Sequence, residues 1–264
     1  MGGSTTYTTE VKDNKKTYTY LLEQELNKKL LSRKDCKYNK IEIVNAGVGG
    51  FTSAENLIRV IFKISEFSPD LVVIQHGFND VMARLCGEIS SDYSNYRKSW
   101  YQAKETANPL FTTFKRKIRK SRLLTFVCIR LGLTTPRTLG FFTVGSWNPQ
   151  VDNLKHNDCK YFERNTEYMV MFLKMIGADV ILVSEPYNDN ARQGRIKAMP
   201  QHNTITKEVA NKLNCSFFDL YQSFPKYEPY LQSDGTHVSE KGSYKKYELL
   251  RDFLINDFQL FSRF

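Results

Sequence analysis

The chain has 264 residues, 41% of them hydrophobic, 25% charged and 13% aromatic, which excludes a disordered chain and leaves enough length for a substantial core. Its net charge of +10 and pI of about 9.2 favour anionic neighbours such as polyanions, acidic glycans or lipid headgroups, and say nothing about fold.

The first ten residues, MGGSTTYTTE, contain a glycine-rich turn, Gly2-Gly3-Ser4-Thr5. They also match the short N-myristoylation pattern, which needs Gly at position 2 and Ser or Thr at position 6. The spacing of Tyr20, Leu21, Leu26, Leu30 and Leu31 predicts an amphipathic helix over 17–31. IEIVNAG (41–47) reads as a short buried strand running into glycines, and SAENLIRVIFKIS (53–65) as a helix capped by Ser53. DLVVIQHG (70–77) is nearly continuous in Val, Leu and Ile, as a strand buried on both faces should be.

Beyond residue 157 the same rhythm returns. NTEYMVMFLKMIG (165–177) predicts a helix closed by Gly177, and ADVILVSEP (178–186) a strand ended by Pro186. A helix over 203–214, a strand over 215–221 and a final helix over 242–260 follow. Strands alternating with helices imply an α/β fold with a parallel sheet. Without an internal repeat or a Pro/Gly/Ser linker, residues 1–264 read as one domain.

The segment from about 84 to 157 interrupts the alternation as an insertion. It holds KRKIRKSR (115–122), six basic residues in eight, with Phe111, Phe114 and Ile118 at helical spacing beside them. A basic amphipathic helix of this kind suits an anionic membrane surface or a polyanion. A plain solvated face on an insertion packed over the site's edge explains it equally well. No nucleic-acid module accompanies the patch, so nucleic acid is not an expected partner.

The five cysteines, Cys36, Cys86, Cys128, Cys159 and Cys215, stand singly, which argues against a zinc or C-x-x-C redox site. There is no secretory signal, and no run approaches the roughly 18–20 apolar residues of a membrane span. Taken as it stands the chain reads as cytoplasmic. An upstream segment, if one exists, would move the expectation to the cell envelope or a membrane anchor.

In an open parallel sheet, ligands bind beyond the carboxyl ends of the strands. Polar residues gather there: Asn45 with Gly47-Val48-Gly49-Gly50 and Thr52; Gly77-Phe78-Asn79-Asp80; and Ser233-Asp234-Gly235-Thr236-His237. Acyl transfer to serine needs a hydroxyl, an adjacent base, a group orienting that base and donors aimed at the developing oxyanion. Ser4, His237 and Asp234 are the candidates for the first three. The backbone N–H groups of Ser4 and Gly50 and the side-chain amide of Asn79 are candidates for the donors. Each signal alone is weak, because D-x-x-H arises by chance, Asn79 suits a helix cap and a serine near a terminus is usually disordered.

The order G-G-S-T, N-A-G-V-G-G-F-T, G-F-N-D, D-G-T-H resembles the four blocks of the SGNH, or GDSL-type, hydrolase superfamily over residues 2–80 and 178–260. The resemblance implies a three-layer α/β/α sandwich with a five-stranded, flavodoxin-like parallel sheet, and no metal or organic cofactor. It places the nucleophile at Ser4, the oxyanion donors at Ser4, Gly50 and Asn79, and the rest of the triad at Asp234 and His237. Gly50 is preferred to Gly47 and Gly49 because the family glycine stands two residues before a Thr, here Thr52.

Two departures stand out. Gly3 occupies the family's Asp position, a variant that resembles members with surface-polysaccharide functions. The strand that normally leads into the serine, between 41–47 and 70–77, is missing ahead of Met1. The implied activity is a serine esterase or O-deacetylase acting on a small-molecule or glycan ester. Its rivals are an O-acyltransferase using the same residues and a non-catalytic glycan- or membrane-binding protein.

Overall fold

The computed structural model describes residues 1–33, 37–96, 123, 126–127, 130–131 and 150–264. The basic run 115–122 and most of the insertion lie outside the described residues.

The chain opens with a single helical turn, α1 (Ser4–Tyr7), followed by α2 (Tyr18–Leu31) and α3 (Ser53–Arg59), which continues as a π-turn over Val60–Ile64. Thr52 rather than Ser53 caps α3, its backbone N–H donating to Glu55 Oε2 at 2.7 Å. Strand β1 (Leu71–Ile74) leads into α4 (Phe78–Leu85). Beyond the insertion come α5 (Lys160–Met175), β2 (Asp179–Val183), α6 (Gln193–Lys212) and β3 (Ser216–Phe218). A short α7 (Leu220–Ser223), α8 (Glu240–Asp252) and α9 (Leu260–Arg263) complete the described chain. Helix α6 starts ten residues before its sequence-predicted position and runs through Pro200. The proline removes one backbone bond, while buried Ala198, Met199 and His202 hold that stretch against the core.

The sheet is parallel, in the order β1-β2-β3, with Leu71 opposite Asp179 and Ile181 opposite Ser216. Because side chains alternate along a strand, its two faces feed two cores. Val72, Ile74, Val180 and Leu182 pack with Val60, Met169, Leu173 and Val209 from α3, α5 and α6. Ile181, Val183 and Phe218 pack on the other side with Leu22, Leu26, Tyr247 and Leu250 from α2 and α8. Helices therefore cover both faces, as the three-layer reading expects.

The sheet departs from that expectation in one place. Only three strands pair among the described residues, and the strand predicted at 41–47 is an extended segment without a ladder. Side chains of α2 hold it instead: Asn27 exchanges two hydrogen bonds with the Ile41 backbone at 2.7 and 2.8 Å, and Ile43 N–H donates to Glu23 Oε2 at 2.6 Å. Among the described residues, Met1 and Gly2 lie between 41–47 and β1.

These two residues continue the parallel pattern. Gly2 bridges both Gly47 and Gln75. The Met1 nitrogen donates to Val73 O at 2.5 Å, and Met1 O accepts from Gln75 N–H at 2.9 Å. Below them lies a cavity of about 480 Å³ whose lining includes Leu26, Ile43, Leu71, Val73, Leu254 and Phe264. Its walls are mostly apolar, and one edge of β1 faces the space. A variant extended ahead of Met1 by five alternating apolar residues should pair with that edge and raise the thermal midpoint by several degrees, since about 1 kcal/mol moves a chain of this size by a few degrees. A Gly-Ser extension of equal length should leave it unchanged, and equal midpoints for the two would show that the space does not take a strand.

Candidate active site

The site begins with a close approach. A Cβ on Gly2 would lie 1.9 Å from Gln75 O and 2.3 Å from Thr6 Oγ1, so only glycine lets the chain pass between Gly47 and Gln75. The next residues fold at once into α1, with Tyr7 N–H donating to Gly3 O at 3.0 Å and Thr8 N–H to Ser4 O at 2.9 Å. Ser4 thus stands at the first position of a helical turn at the carboxyl end of the sheet.

His237 reaches it from the other end of the chain. Its Nε2 lies 2.8 Å from Ser4 Oγ, and its Nδ1 contacts Asp234 Oδ2. A proton on Nδ1 directed at the carboxylate leaves Nε2 to accept the serine hydroxyl. Asp234 is well supplied with donors: the backbone N–H groups of Thr236 and His237 reach Oδ1 at 3.0 Å each, and Thr236 Oγ1 reaches Oδ2 at 3.0 Å. Partial burial works against its ionisation, but the bonds from His237 and from the Thr236 backbone outweigh it and hold the carboxyl well below the usual carboxylate range. It is therefore an anion at any working pH.

Asn79, the second residue of α4, donates from Nδ2 to Phe51 O at 2.9 Å. This fixes the amide while leaving its second N–H for another acceptor. A Cβ on Gly3 would sit 2.8 Å from that same nitrogen, which places the Asn79 amide beside the Ser4 turn. A side chain at position 3 would therefore press on the Asn79 amide. Gly50 lies at φ +80° in the loop between Val48 and Phe51. Val48 N–H bonds Gly2 O at 3.0 Å, so this loop is tied to the same turn. All five sequence-predicted residues thus come to one end of the sheet.

Further side chains shape the site that the sequence reading did not single out. Asp80 is fully buried and accepts from Ser53 N–H at 3.0 and 3.2 Å and from Ser53 Oγ, so it ties the start of α3 to α4. Burial is the largest influence on it and pushes the carboxyl up to about 7. Arg195 of α6 donates from Nη1 to Thr236 Oγ1 at 3.2 Å and lies over the Phe78 ring, joining the acid turn to α4. Of these, Asp80 and Thr236 fell within motifs visible in the sequence, though neither was given a role there, and Arg195 did not. Among the described residues no group of His, Cys, Asp or Glu side chains could hold a metal ion, and no helix is long and apolar enough to cross a membrane.

Behind α4, His76 and His202 flank the Phe162 ring, with centroids 5.2 and 4.4 Å away. Burial, aided by nearby positive groups, drives the imidazole of His76 down to about 3 and that of His202 well below its ordinary value. Both are neutral in the folded protein and take up protons on unfolding. Their contribution to stability is full above about pH 6.5 and is lost as pH falls toward the folded values. Asp80, whose pKa is raised, works oppositely, losing its contribution as pH rises from about 4 to 7. In urea titrations between pH 6.5 and 4, His202→Phe should lose stability less steeply than the parent, and equal slopes would contradict the assignment.

A family model described as GDSL-like Lipase/Acylhydrolase matches residues 1–248. Among solved structures, the chain is similar to a lipase/acylhydrolase from Enterococcus faecalis, with 19% identity, a TM-score of 0.54 and coverage of 95% of this chain and 90% of that one. An acetyl xylan esterase from Geobacillus stearothermophilus is 18% identical, with a TM-score of 0.53 and coverage of 95% and 88%. The psychrotrophic esterase EstA from Pseudoalteromonas sp. is 12% identical, with a TM-score of 0.58 and coverage of 98% and 96%. Among curated proteins no sequence matches.

Proposed function

The chain belongs to the GDSL-like lipase/acylhydrolase family, and from that premise we propose that it is a serine esterase that removes acyl groups, acetyl above all, from a glycan. Ser4 is the nucleophile, His237 the general base and acid, and Asp234 the group that holds the imidazole. Asn79 Nδ2 and the backbone N–H groups of Gly50 and Ser4 stabilise the oxyanion. The observation that carries this reading is the 2.8 Å contact between His237 Nε2 and Ser4 Oγ.

The steps follow from that contact. His237 takes the Ser4 proton as Oγ attacks the ester carbonyl, and the imidazolium that forms is paired with the Asp234 carboxylate. The tetrahedral oxyanion is met by N–H donors already in place, which is where most of the rate arises. Collapse expels the alcohol, which leaves with the proton from His237. Water, deprotonated by the same histidine, then releases the acid and restores Ser4.

The glycan assignment rests on weaker supports: the Gly-Gly-Ser form of the first block, the basic balance of the chain, and the acetyl xylan esterase among its structural neighbours. Hydrolysis of p-nitrophenyl acetate and of acetylated xylo-oligosaccharides tests both levels. Ser4→Ala should lower kcat by about 10⁴-fold or more, and Asn79→Ala by about 10²–10³-fold. Gly3→Ala, which crowds the Asn79 amide, should cost kcat about tenfold or more with a smaller change in KM. Full activity in Ser4→Ala would remove the catalytic reading. Activity on the nitrophenyl ester without any on the oligosaccharide would remove the glycan assignment alone.

A further inference from the structure

Beneath Ser4 lies a buried polar cluster that the hydrolytic steps above leave unused. Glu185, just past β2, and Lys246, in the middle of α8, are each 1% exposed. The Gln75 side chain stands between them: its Nε2 donates to Glu185 Oε2 at 2.8 Å, and its Oε1 accepts from Lys246 Nζ. Both charged groups also reach Thr5, the residue after the nucleophile. Thr5 Oγ1 donates to Glu185 Oε1 at 3.0 Å, and Lys246 Nζ donates to Thr5 O at 3.3 Å. Gln75 completes the grip through its backbone, its carbonyl accepting from Thr6 Oγ1 at 3.1 Å and its N–H donating to Met1 O at 2.9 Å.

Resting on the catalytic reading above, we infer that Glu185 and Lys246 are positioning residues for Ser4: a buried pair of opposite charges that, through Gln75, clamps Thr5 and so fixes the nucleophile turn.

Three observations favour positioning over plain stability. A buried pair of opposite charges separated by an amide is a poor source of stability, because desolvating two charges costs at least what their attraction returns. This one is arranged around a single amide, with a donor meeting the carboxylate and the acceptor meeting the ammonium, an arrangement that specifies orientation. Its contacts also converge on the one short turn that the chemistry needs held. The carboxylate is set in turn from α6, where Asn203 bonds the Glu185 backbone in both directions at 2.9 and 3.1 Å.

The charged neighbours are consistent with both groups being ionised. Burial pushes Lys246 down to about 8, and the Glu185 charge opposes that shift. Burial pushes Glu185 up, and Lys246, the Thr5 and Gln75 bonds and His237 oppose it. Tyr18 of α2 lies under the ammonium at 4.1 Å, the Met1 amino group lies within electrostatic reach of Lys246, and Arg195 of α6 within reach of Glu185.

The test compares Thr5→Val, Glu185→Gln, Lys246→Met and Lys246→Arg, each first shown to be folded by near-UV circular dichroism. Thr5→Val keeps shape and removes only the hydroxyl bond to Glu185, so it serves where a charge variant fails to fold. Kinetics on p-nitrophenyl acetate should give a kcat lower by about tenfold with KM within about twofold for the first three, and recovery to within about threefold in Lys246→Arg. Hydrogen exchange, which needs no activity, should show faster exchange at the Tyr7 and Thr8 amides in the same three variants. Unchanged kcat together with unchanged exchange in folded Thr5→Val and Glu185→Gln would overturn the inference. A parent enzyme inactive on the ester would count against the catalytic reading alone, and the exchange result would still decide whether the clamp exists.

Discussion

The site depends on how closely the chain passes at Gly2. There the backbone runs between Gly47 and Gln75 and bridges both, at a separation that leaves no space for a Cβ. That approach fixes where the chain leaves the sheet layer and where α1 begins. Ser4 is therefore placed by backbone contacts with two segments that belong to the body of the fold. His237 and Asp234, more than two hundred residues later, are brought to meet it by the turn that precedes α8. The meeting of Ser4 and His237 is a property of how the two ends of the chain are laid against one end of the sheet.

Around that point the polar groups fall into connected sets. Asp234, Thr236 and Arg195 link the acid turn to α6 and α4. Asn79 and Asp80, adjacent on α4, take hold of Phe51 and Ser53, on the loop that carries Gly50 and the start of α3. Glu185, Gln75 and Lys246 reach the nucleophile turn from below. The third set is buried, where apolar groups would pack more cheaply, and all three fix the loops and turns around Ser4, Asn79 and His237. Such preorganisation is what electrostatic stabilisation of an oxyanion requires.

Much of this was legible in the sequence. The strands at 71–74 and 179–183 are built on the apolar runs Leu71–Ile74 and Val180–Val183, and helices with clear periodicity such as 18–31 fell within one residue of their predicted start. The four blocks pointed to five candidate residues that lie at one end of the sheet, because polar residues that follow buried strands gather there. What could not be read depends on neighbours remote in sequence. Residues 41–47 have a strand's pattern, but among the described residues they bridge only at Gly47, and side chains of α2 hold the start of the segment. The start of α6 was hidden because Pro200 suggests a break, whereas burial of Ala198 and Met199 carries the helix through it. Lys246 looks like any solvated lysine of a charged helix until α2 and β1 are packed over it. The basic run 115–122 lies outside the described residues.

The central claim is that Ser4, held by this turn, is activated by His237. Labelling with a fluorophosphonate, followed by peptide mapping in a mass spectrometer, reads that activation directly without requiring the natural substrate. The expected result is a single adduct, mapped to Ser4, whose rate of formation falls by at least about 10²-fold in His237→Ala. An adduct elsewhere, or labelling of Ser4 at the same rate without His237, would contradict it.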